Sequence, residues 1–421
     1  MSKDNLIPKL RFPEFVNEGE WLQQKLGEIG EPLMCKRILK EQTTTNPKNG
    51  IPFYKIGTFG KEADAFIPIE LFEDFKSKYS FPRKGDILIS AAGTIGRLVV
   101  YDGLPAYFQD SNIVWLGNDE SKVLNGFLFY CYSTIKWQTS DGGIISRLYN
   151  SDLKNIKISF SKKTQEQQKI ASCLSSLDEV IAAHSQKLDL LKDHKKGLMQ
   201  NLFPQEGVMV PKFRFKEFEN DGEWVEKKLG EIAEIITGST PKTSELAYYG
   251  GNKMFVSPAD ISDNRIVSQT KTTLTELGFS KTRQIKAGSV LFVCIGSTIG
   301  KVAQNKFECA TNQQINSLVA KKNYSSDFLY SLLDANSTAI ASIAGNHAVP
   351  IINKSSFSDI LLFFPHTLQE QQKIAFCLSS LDALITAQAE KIEQLKLHKK
   401  GLMQGLFPKS ITNYEQGNNK S

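Results

Sequence analysis

The 421-residue chain has few of the features that mark a catalyst, a membrane protein or a cross-linked secreted domain. Its six cysteines are scattered and form no CxxC pair, which argues against a zinc site and against a disulfide framework. Cys173 and Cys377 occupy equivalent places in two helical segments and read as small core residues. No apolar run approaches bilayer-spanning length, and the opening residues MSKDNLIPKL hold no apolar signal core; a chain without membrane contact in the reducing cytoplasm is expected. The phosphate-loop pattern GxxxxGK[ST] is absent, since Gly296 to Lys301 has the wrong spacing and no following hydroxyl. There is no GxGxxG fingerprint and no Asn-Pro-Pro-aromatic run of the kind an amino-methylating enzyme carries. The five histidines show neither HExxH nor HxH spacing, and no metal site is expected. A large charge excess is missing too. A net charge of +6 permits nucleic-acid binding only where cations cluster locally.

What the chain does have is a duplication. Residues 165–204, QEQQKIASCLSSLDEVIAAHSQKLDLLKDHKKGLMQNLFP, return at 369–408 with 28 of 40 positions identical. In the first copy Ile170, Leu174, Leu177, Ile181, Leu188 and Leu191 recur at steps of three and four. In the second copy Ile374, Leu378, Leu381, Ile385, Ile392 and Leu395 do the same. This heptad spacing lets two helices interlock side chains along a seam. His184 and Lys195 interrupt it in the first copy, Gln388 and Lys399 in the second; such breaks favour one register and one partner. Thr164 with Gln167, and Thr367 with Glu370, have the spacing of capping boxes, and Pro204 and Pro408 mark the helix ends. His194 and His398 fall in the shared HKKGLMQ and read as solvated or partner-facing helix ends.

The repeat extends beyond the helix. KLRFPEFVNEGEWLQQKLGEI at 9–29 reappears as KFRFKEFENDGEWVEKKLGEI at 212–232, which makes Trp21 and Trp224 candidate structural anchors. Between these frames lie two unlike stretches of strand-like runs: 51–56, 86–90, 97–101, 112–116 and 155–160, then 290–295, 314–319 and 359–364. One helical segment follows the middle strands in each, at 123–138 and 327–343. The expected fold is mixed α/β: two globular domains separated by two long antiparallel coiled-coil helices, with an internal pseudo-twofold repeat. The expected layout is 1–164 for the N-terminal segment and first domain, 165–204 for a central spacer helix, 205–368 for a linker, the second GEW segment and the second domain, 369–408 for a C-terminal spacer helix, and 409–421 for a polar, disordered tail.

Candidate contacts for a partner lie in the unlike stretches. Ala92-Gly-Thr-Ile-Gly-Arg97 is matched by Gly296-Ser-Thr-Ile-Gly-Lys301; both follow a strand and end on a cation. Glycines admit close approach, and the hydroxyls of Thr94 and Thr298 beside Arg97 and Lys301 suit phosphate or a base edge. The plainer reading is a tight turn with a solvated cation. Lys55 and Arg147 in the first domain, and Lys281, Arg283 and His347 in the second, are further candidates, with Gly142-Gly143 and Gly345-Asn346 marking matching glycine-containing loops.

The two FxxxGEW…KLGEI segments, the GDIL…GTIG strand and loop, and the two QEQQKIA…LSSLD…HKKGLMQ helices together resemble the specificity subunits of type I restriction–modification systems. The likeness covers nearly the whole chain in order. Its one departure is Gly288-Ser289-Val290-Leu291, where the second domain lacks the acid of GDIL. The resemblance implies a non-catalytic subunit whose two target-recognition domains each read half of a bipartite, asymmetric double-stranded DNA site. It implies helices that dock two modification (methyltransferase) subunits, with restriction subunits joining them. No cofactor is implied in this chain; S-adenosylmethionine, ATP and magnesium would belong to the partners. A coiled-coil scaffold without DNA specificity and an autonomous nuclease are the alternatives; little salt dependence of binding would mark the first and metal-dependent cleavage the second.

Overall fold

The most strongly shared residues of the duplicated frame are held by one another. In the computed structural model, which describes residues 6–48, 50–137, 147–205, 207–262, 264–345 and 349–408, Arg11 grips Glu166 with two N–H groups, Nε to Oε1 at 2.7 Å and Nη2 to Oε2 at 2.8 Å. Arg214 grips Glu370 in the same way, both bonds at 2.8 Å. Each arginine also donates Nη1 to the carbonyl of the frame glycine, Gly19 at 2.6 Å and Gly222 at 2.5 Å. Both carboxylates are fully buried, so each requires its fork of charged donors. The neighbouring glutamines close a second lock. Gln167 accepts from the amide of Leu124 at 2.9 Å and donates to the carbonyls of Ser161 and Lys122; Gln371 accepts from the amide of Ser325. These tertiary bonds correct the capping-box expectation. Thr367 does cap, accepting from the amide of Glu370 at 3.2 Å, but the Glu370 carboxylate is turned to Arg214. Thr164 is already the first helical residue.

The chain divides into two compact units, residues 1–182 with 394–421, and residues 183–393. Both long helices, Thr164–Leu202 and Leu368–Leu406, contribute to both units. The tail at 409–421 lies outside the described residues.

In the first unit a four-stranded antiparallel sheet runs Gly30–Leu33, Ile113–Asn118, Ile87–Ser90, Leu98–Val100. A three-stranded sheet of Phe66–Pro68, Gly50–Tyr54 and Tyr107–Phe108 accompanies it. Leu22–Lys25 pairs with Lys157–Phe160, so the GEW segment is tied to the strand that enters the long helix. Every strand-like run read from the sequence here is a strand, shifted by one or two residues. The helix expected at 123–138 is Asn125–Thr134, and a helix at Ile69–Lys78 was not foreseen. The core gathers Trp21, Phe127, Ile170 and Leu174 around Leu406 and Phe407, the last turn of the second long helix. Phe407 lies edge-on to Trp21 at 6.1 Å and stacks on Phe127 at 5.4 Å.

The second unit repeats the plan. Its five-stranded sheet runs Ala233–Thr237, Ile315–Ala320, Val290–Val293, Val302–Asn305 and Ile266–Val267, and a separate four-stranded sheet is built on Tyr249–Val256. Val225–Lys228 pairs with Leu361–Phe364. The helix expected at 327–343 is two pieces, Ser326–Ala335 and Ser337–Ser342. Leu202 and Phe203, ending the first long helix, pack with Trp224 and Phe328. Both tryptophans are thus core anchors, 2% and 1% exposed.

Within each unit the two helix segments run antiparallel. In the first, Lys399 Nζ lies 2.5 Å from Asp178; in the second, Lys195 lies 2.7 Å from its repeat equivalent, Asp382. Also in the second, Gln388 Nε2 is 2.7 Å from His184 Nδ1 and donates to the His184 carbonyl at 2.8 Å. The polar interruptions of the seam therefore meet polar partners. The apolar seam positions are turned inward: Ile170, Leu174, Ile374, Leu378 and Ile392 are buried, and Leu177, Ile181, Leu188, Leu191, Leu381, Ile385 and Leu395 are half-buried. Cys173 and Cys377 correct the core expectation, since both are half-buried. Among the described residues no helix is long and apolar enough to cross a membrane.

Candidate nucleic-acid interface

The two TIG loops close equivalent hairpins, Ile87–Ser90 to Leu98–Val100 and Val290–Val293 to Val302–Asn305. In the first, Gly96 donates to the Ser90 carbonyl at 3.0 Å and Ser90 to the Arg97 carbonyl at 2.9 Å; in the second, Gly300 donates to Val293 and Val293 to Lys301 at 3.0 and 2.9 Å. The Ser90 hydroxyl tightens the first loop, donating to the Thr94 carbonyl at 2.6 Å and accepting from the Arg97 amide at 2.8 Å. Gly96 sits at φ 82°, and a Cβ there would lie 2.1 Å from Trp137, so both conformation and packing require glycine.

The cations on these loops are not simply solvated. Arg97 donates Nη1 to the Phe59 carbonyl at 2.8 Å, which leaves other guanidinium N–H groups for a partner. Lys301 donates to the Ile261 carbonyl at 3.0 Å. Thr94 is exposed and Thr298 half-buried. Arg147 joins the first loop through a β-bridge with Ala92 and donates Nη2 to the Ser111 carbonyl at 2.8 Å. Lys55 opens the short segment whose Phe59 carries that carbonyl, and pairs with Asp64 at 2.8 Å. The fold therefore collects Lys55, Thr94, Arg97 and Arg147 along one edge of the first domain.

The second domain is arranged differently. Ile351 takes the bridging place, pairing with Ile295, and His347 and Asn346 lie outside the described residues, as do Gly142 and Gly143. Arg283 donates Nη1 to the Thr237 carbonyl at 2.7 Å, and Lys281 is exposed. No hydrogen bond among the described residues joins either to Lys301.

Beside Lys55, a cavity of about 730 Å³ is also lined by Arg37, Lys40, Thr43, Thr44, Gln109 and Asp110. Sequence reasoning passed over these groups, although the basic run Cys-Lys-Arg-Ile-Leu-Lys ahead of Gln-Thr-Thr-Thr was a usable signal. Arg37 is held by Asp110 at 3.2 Å and remains two-thirds exposed. Cationic and amide donors beside threonine hydroxyls are the side-chain types that bind phosphates and base edges.

A family model described as type I restriction modification DNA specificity domain matches the chain twice, at residues 18–193 and 221–397. A Haemophilus influenzae type I restriction enzyme specificity subunit is 53% identical over 166 residues, 39% of this chain and 42% of that one. The MjaX specificity subunit of Methanocaldococcus jannaschii is 24% identical over 425 residues, 94% of this chain and 98% of its own. The chain thus spans less than half of the first relative and nearly all of the second. Among solved structures, the type I restriction–modification S subunit of M. genitalium aligns with a TM-score of 0.65 at 16% identity, covering 96% of this chain and all of that one.

Proposed function

The chain belongs to the type I restriction–modification DNA specificity family, and we propose that, as that family's specificity subunit, it reads a bipartite, asymmetric duplex site with one globular domain per half. The observation that carries the reading is the double match itself. Its two segments coincide with the duplicated frame, and the frame encloses unlike inserts. Two inserts serving one common purpose would have less cause to differ while the frame stayed alike. Phosphate contacts by lysine and arginine would position the subunit, and the loop edges carrying Arg97 and Lys301 would supply base contacts. The long helices would dock two modification subunits and, through the assembly, restriction subunits. Methyl transfer with S-adenosylmethionine, and ATP- and magnesium-dependent steps, belong in this reading to those partners; this chain is non-catalytic and acts in the cytoplasm.

The test is selection of random duplexes by the full chain with its modification subunits, titrated across salt. The expected result is an asymmetric two-part consensus and binding that weakens as salt rises. Arg97→Ala should act on one half of that consensus and Lys301→Ala on the other. A base contact would relax one position by about 1–3 kcal/mol, whereas a phosphate contact would weaken all sequences evenly. Cleavage by the isolated chain, or binding indifferent to salt and to duplex, would replace this reading with the nuclease or the scaffold.

A further inference from the structure

A cleft of the first unit is lined by none of the TIG-loop residues. It encloses about 830 Å³ and is lined by six lysines: Lys9, Lys136, Lys157, Lys396, Lys399 and Lys400. They come from the N-terminal segment, the residues just past the helix Asn125–Thr134, the strand Lys157–Phe160 and the last turns of the second long helix. Among the described residues no carboxylate lines the cleft. Lys399 is paired with Asp178, while Lys9, Lys136 and Lys400 are exposed and have no carboxylate partner among the described residues.

We infer that this cleft is a phosphodiester-binding site, gripping the duplex backbone on the first domain's side only; the inference rests on the DNA-reading function proposed above. The lining chemistry favours a polyanion. Lysine is a point charge on a flexible stem, suited to backbone phosphates and not to one fixed planar group. The hydroxyls of Ser133 and Thr134 donate to their own helix, to the carbonyls of Phe129 and Cys131, so the exposed ammonium groups of Lys9, Lys136 and Lys400 are the charged donors the cleft offers. The one aromatic ring in the lining, Phe407, is buried and stacked on Phe127, so no face is open for a base to stack upon. A nucleotide or an unpaired strand would find no platform here.

The asymmetry between the units identifies the kind of partner. In the second unit Lys212, Lys192, Lys195 and Lys196 repeat four of the six lysines, but Leu361 stands where Lys157 does and Phe363 where Ser159 does. Neither the helix Asn125–Thr134 nor its counterpart Ser326–Ala335 holds a lysine or arginine, but Asp334 of the second, with Asp382, neutralises Lys195. A docking surface for two copies of one subunit would be needed in both units. The six-lysine lining, complete in the first unit and only partly repeated in the second, suits a ligand met once, such as the backbone flanking one half-site.

The experiment uses the full chain with its modification subunits, comparing wild type with Lys9→Gln/Lys136→Gln/Lys400→Gln and with the mirrored Lys212→Gln/Lys196→Gln. Affinity is measured for selected and scrambled duplexes from low to high salt. The triple variant should lose affinity for both duplexes by the same factor. Its plot of log K against log salt should become shallower by about 1 per lysine, and the selected base sequence should not change. The mirrored variant should move the slope by a smaller amount per lysine. A changed consensus would overturn the inference in favour of base reading. Unchanged slope, with or without weakened recruitment of the modification subunits, would overturn it in favour of protein docking or solvated lysines. A wild-type complex that binds no duplex at all would instead refute the DNA-reading function, and is separated from these outcomes by the wild-type titration.

Discussion

The two units solve one problem twice with the same residues and a second problem with different ones. The start of each long helix is fixed identically, an arginine forking a buried glutamate with bonds of 2.7 to 2.8 Å in both. The charges along the helix seam are met by whatever each insert can supply. In the first unit the Tyr130 hydroxyl donates to Asp178 at 2.9 Å, and Lys399 completes the set. In the second, Asp334 joins Asp382 around Lys195, and Arg265 lies 3.8 Å from Asp382 with its guanidinium 4.7 Å from the Tyr330 ring centre. Burial raises the Asp334 carboxyl above its ordinary value, with Lys195 pulling the other way. The contrast teaches what the frame demands of an insert: satisfy the helix charges, by any donor, and the remaining sequence is free to vary.

The comparison can be broken most drastically by making the units identical. The first unit's socket, Trp21 and Phe127, holds Phe407, and the first helix ends in Leu202 and Phe203, core residues of the second unit. A chain of residues 1 to about 210 therefore has an empty socket and an unplugged helix end of matching shape. Two copies should exchange these ends and form an isologous dimer. Its preferred duplex should be an inverted repeat of the parent's first half-site, at nearly the parent's spacing. Mass in solution together with duplex selection checks this; a dimer that selects a non-palindromic site, or a half-chain that binds only as a monomer, contradicts it.

A smaller break removes the shared lock. Arg11→Ala or Arg214→Ala leaves a buried carboxylate without its fork, a loss of about 3–5 kcal/mol. The pair should not be equal. The Trp224 indole donates to Glu370 at 3.2 Å, whereas the Trp21 indole N–H has no hydrogen-bond partner among the described residues, so Glu166 has less to fall back on. Denaturant unfolding of the full chain should show the larger shift for Arg11→Ala. Equal shifts would mean that the indole bond contributes nothing measurable.

How far the sequence discloses this depends on the distance over which each signal acts. Heptad phase is local, so both long helices were legible, and short apolar runs bounded by turn residues gave the strands. Arg11 and Glu166 are 155 residues apart and meet only in the fold, which is why Gln167 and Glu370 looked like capping groups. The basic cleft was invisible for the same reason: Lys9, Lys136 and Lys400 form no run. The candidate loops were legible as loops. That Arg97 leans on the Phe59 carbonyl while Arg147 bridges Ala92 depended on a strand order no single motif encodes.

The subtlest contrast lies at the position where the two inserts differ in the GDIL strand. Asp86 accepts from the Arg83 amide at 2.7 Å, while its counterpart Ser289 donates to the Lys286 carbonyl at 2.8 Å. The same turn is closed with opposite polarity, and both side chains are buried. Burial raises the Asp86 carboxyl above its ordinary value, partly offset by the Arg83 amide. A carboxyl raised on folding binds its proton more tightly in the native state. Its contribution is therefore fully present in acid and is lost as pH climbs through the raised value. Asp86→Asn keeps an acceptor for Arg83 and has no proton to lose, so it should change stability at neutral pH by only about 1 kcal/mol or less. Wild type should gain on this variant as pH falls from neutral toward the carboxylate range. Ser289→Asp should behave less mildly. An ionised carboxylate there faces the Lys286 carbonyl, acceptor against acceptor, and only the protonated acid can replace the serine's bond. Unfolding curves of the three proteins from pH 5 to 8 should thus show a shallow pH difference for Asp86→Asn and a steeper one for Ser289→Asp, the latter recovering toward wild type in acid. A Ser289→Asp protein as stable as wild type at pH 8 would show that the second turn can invert its polarity after all.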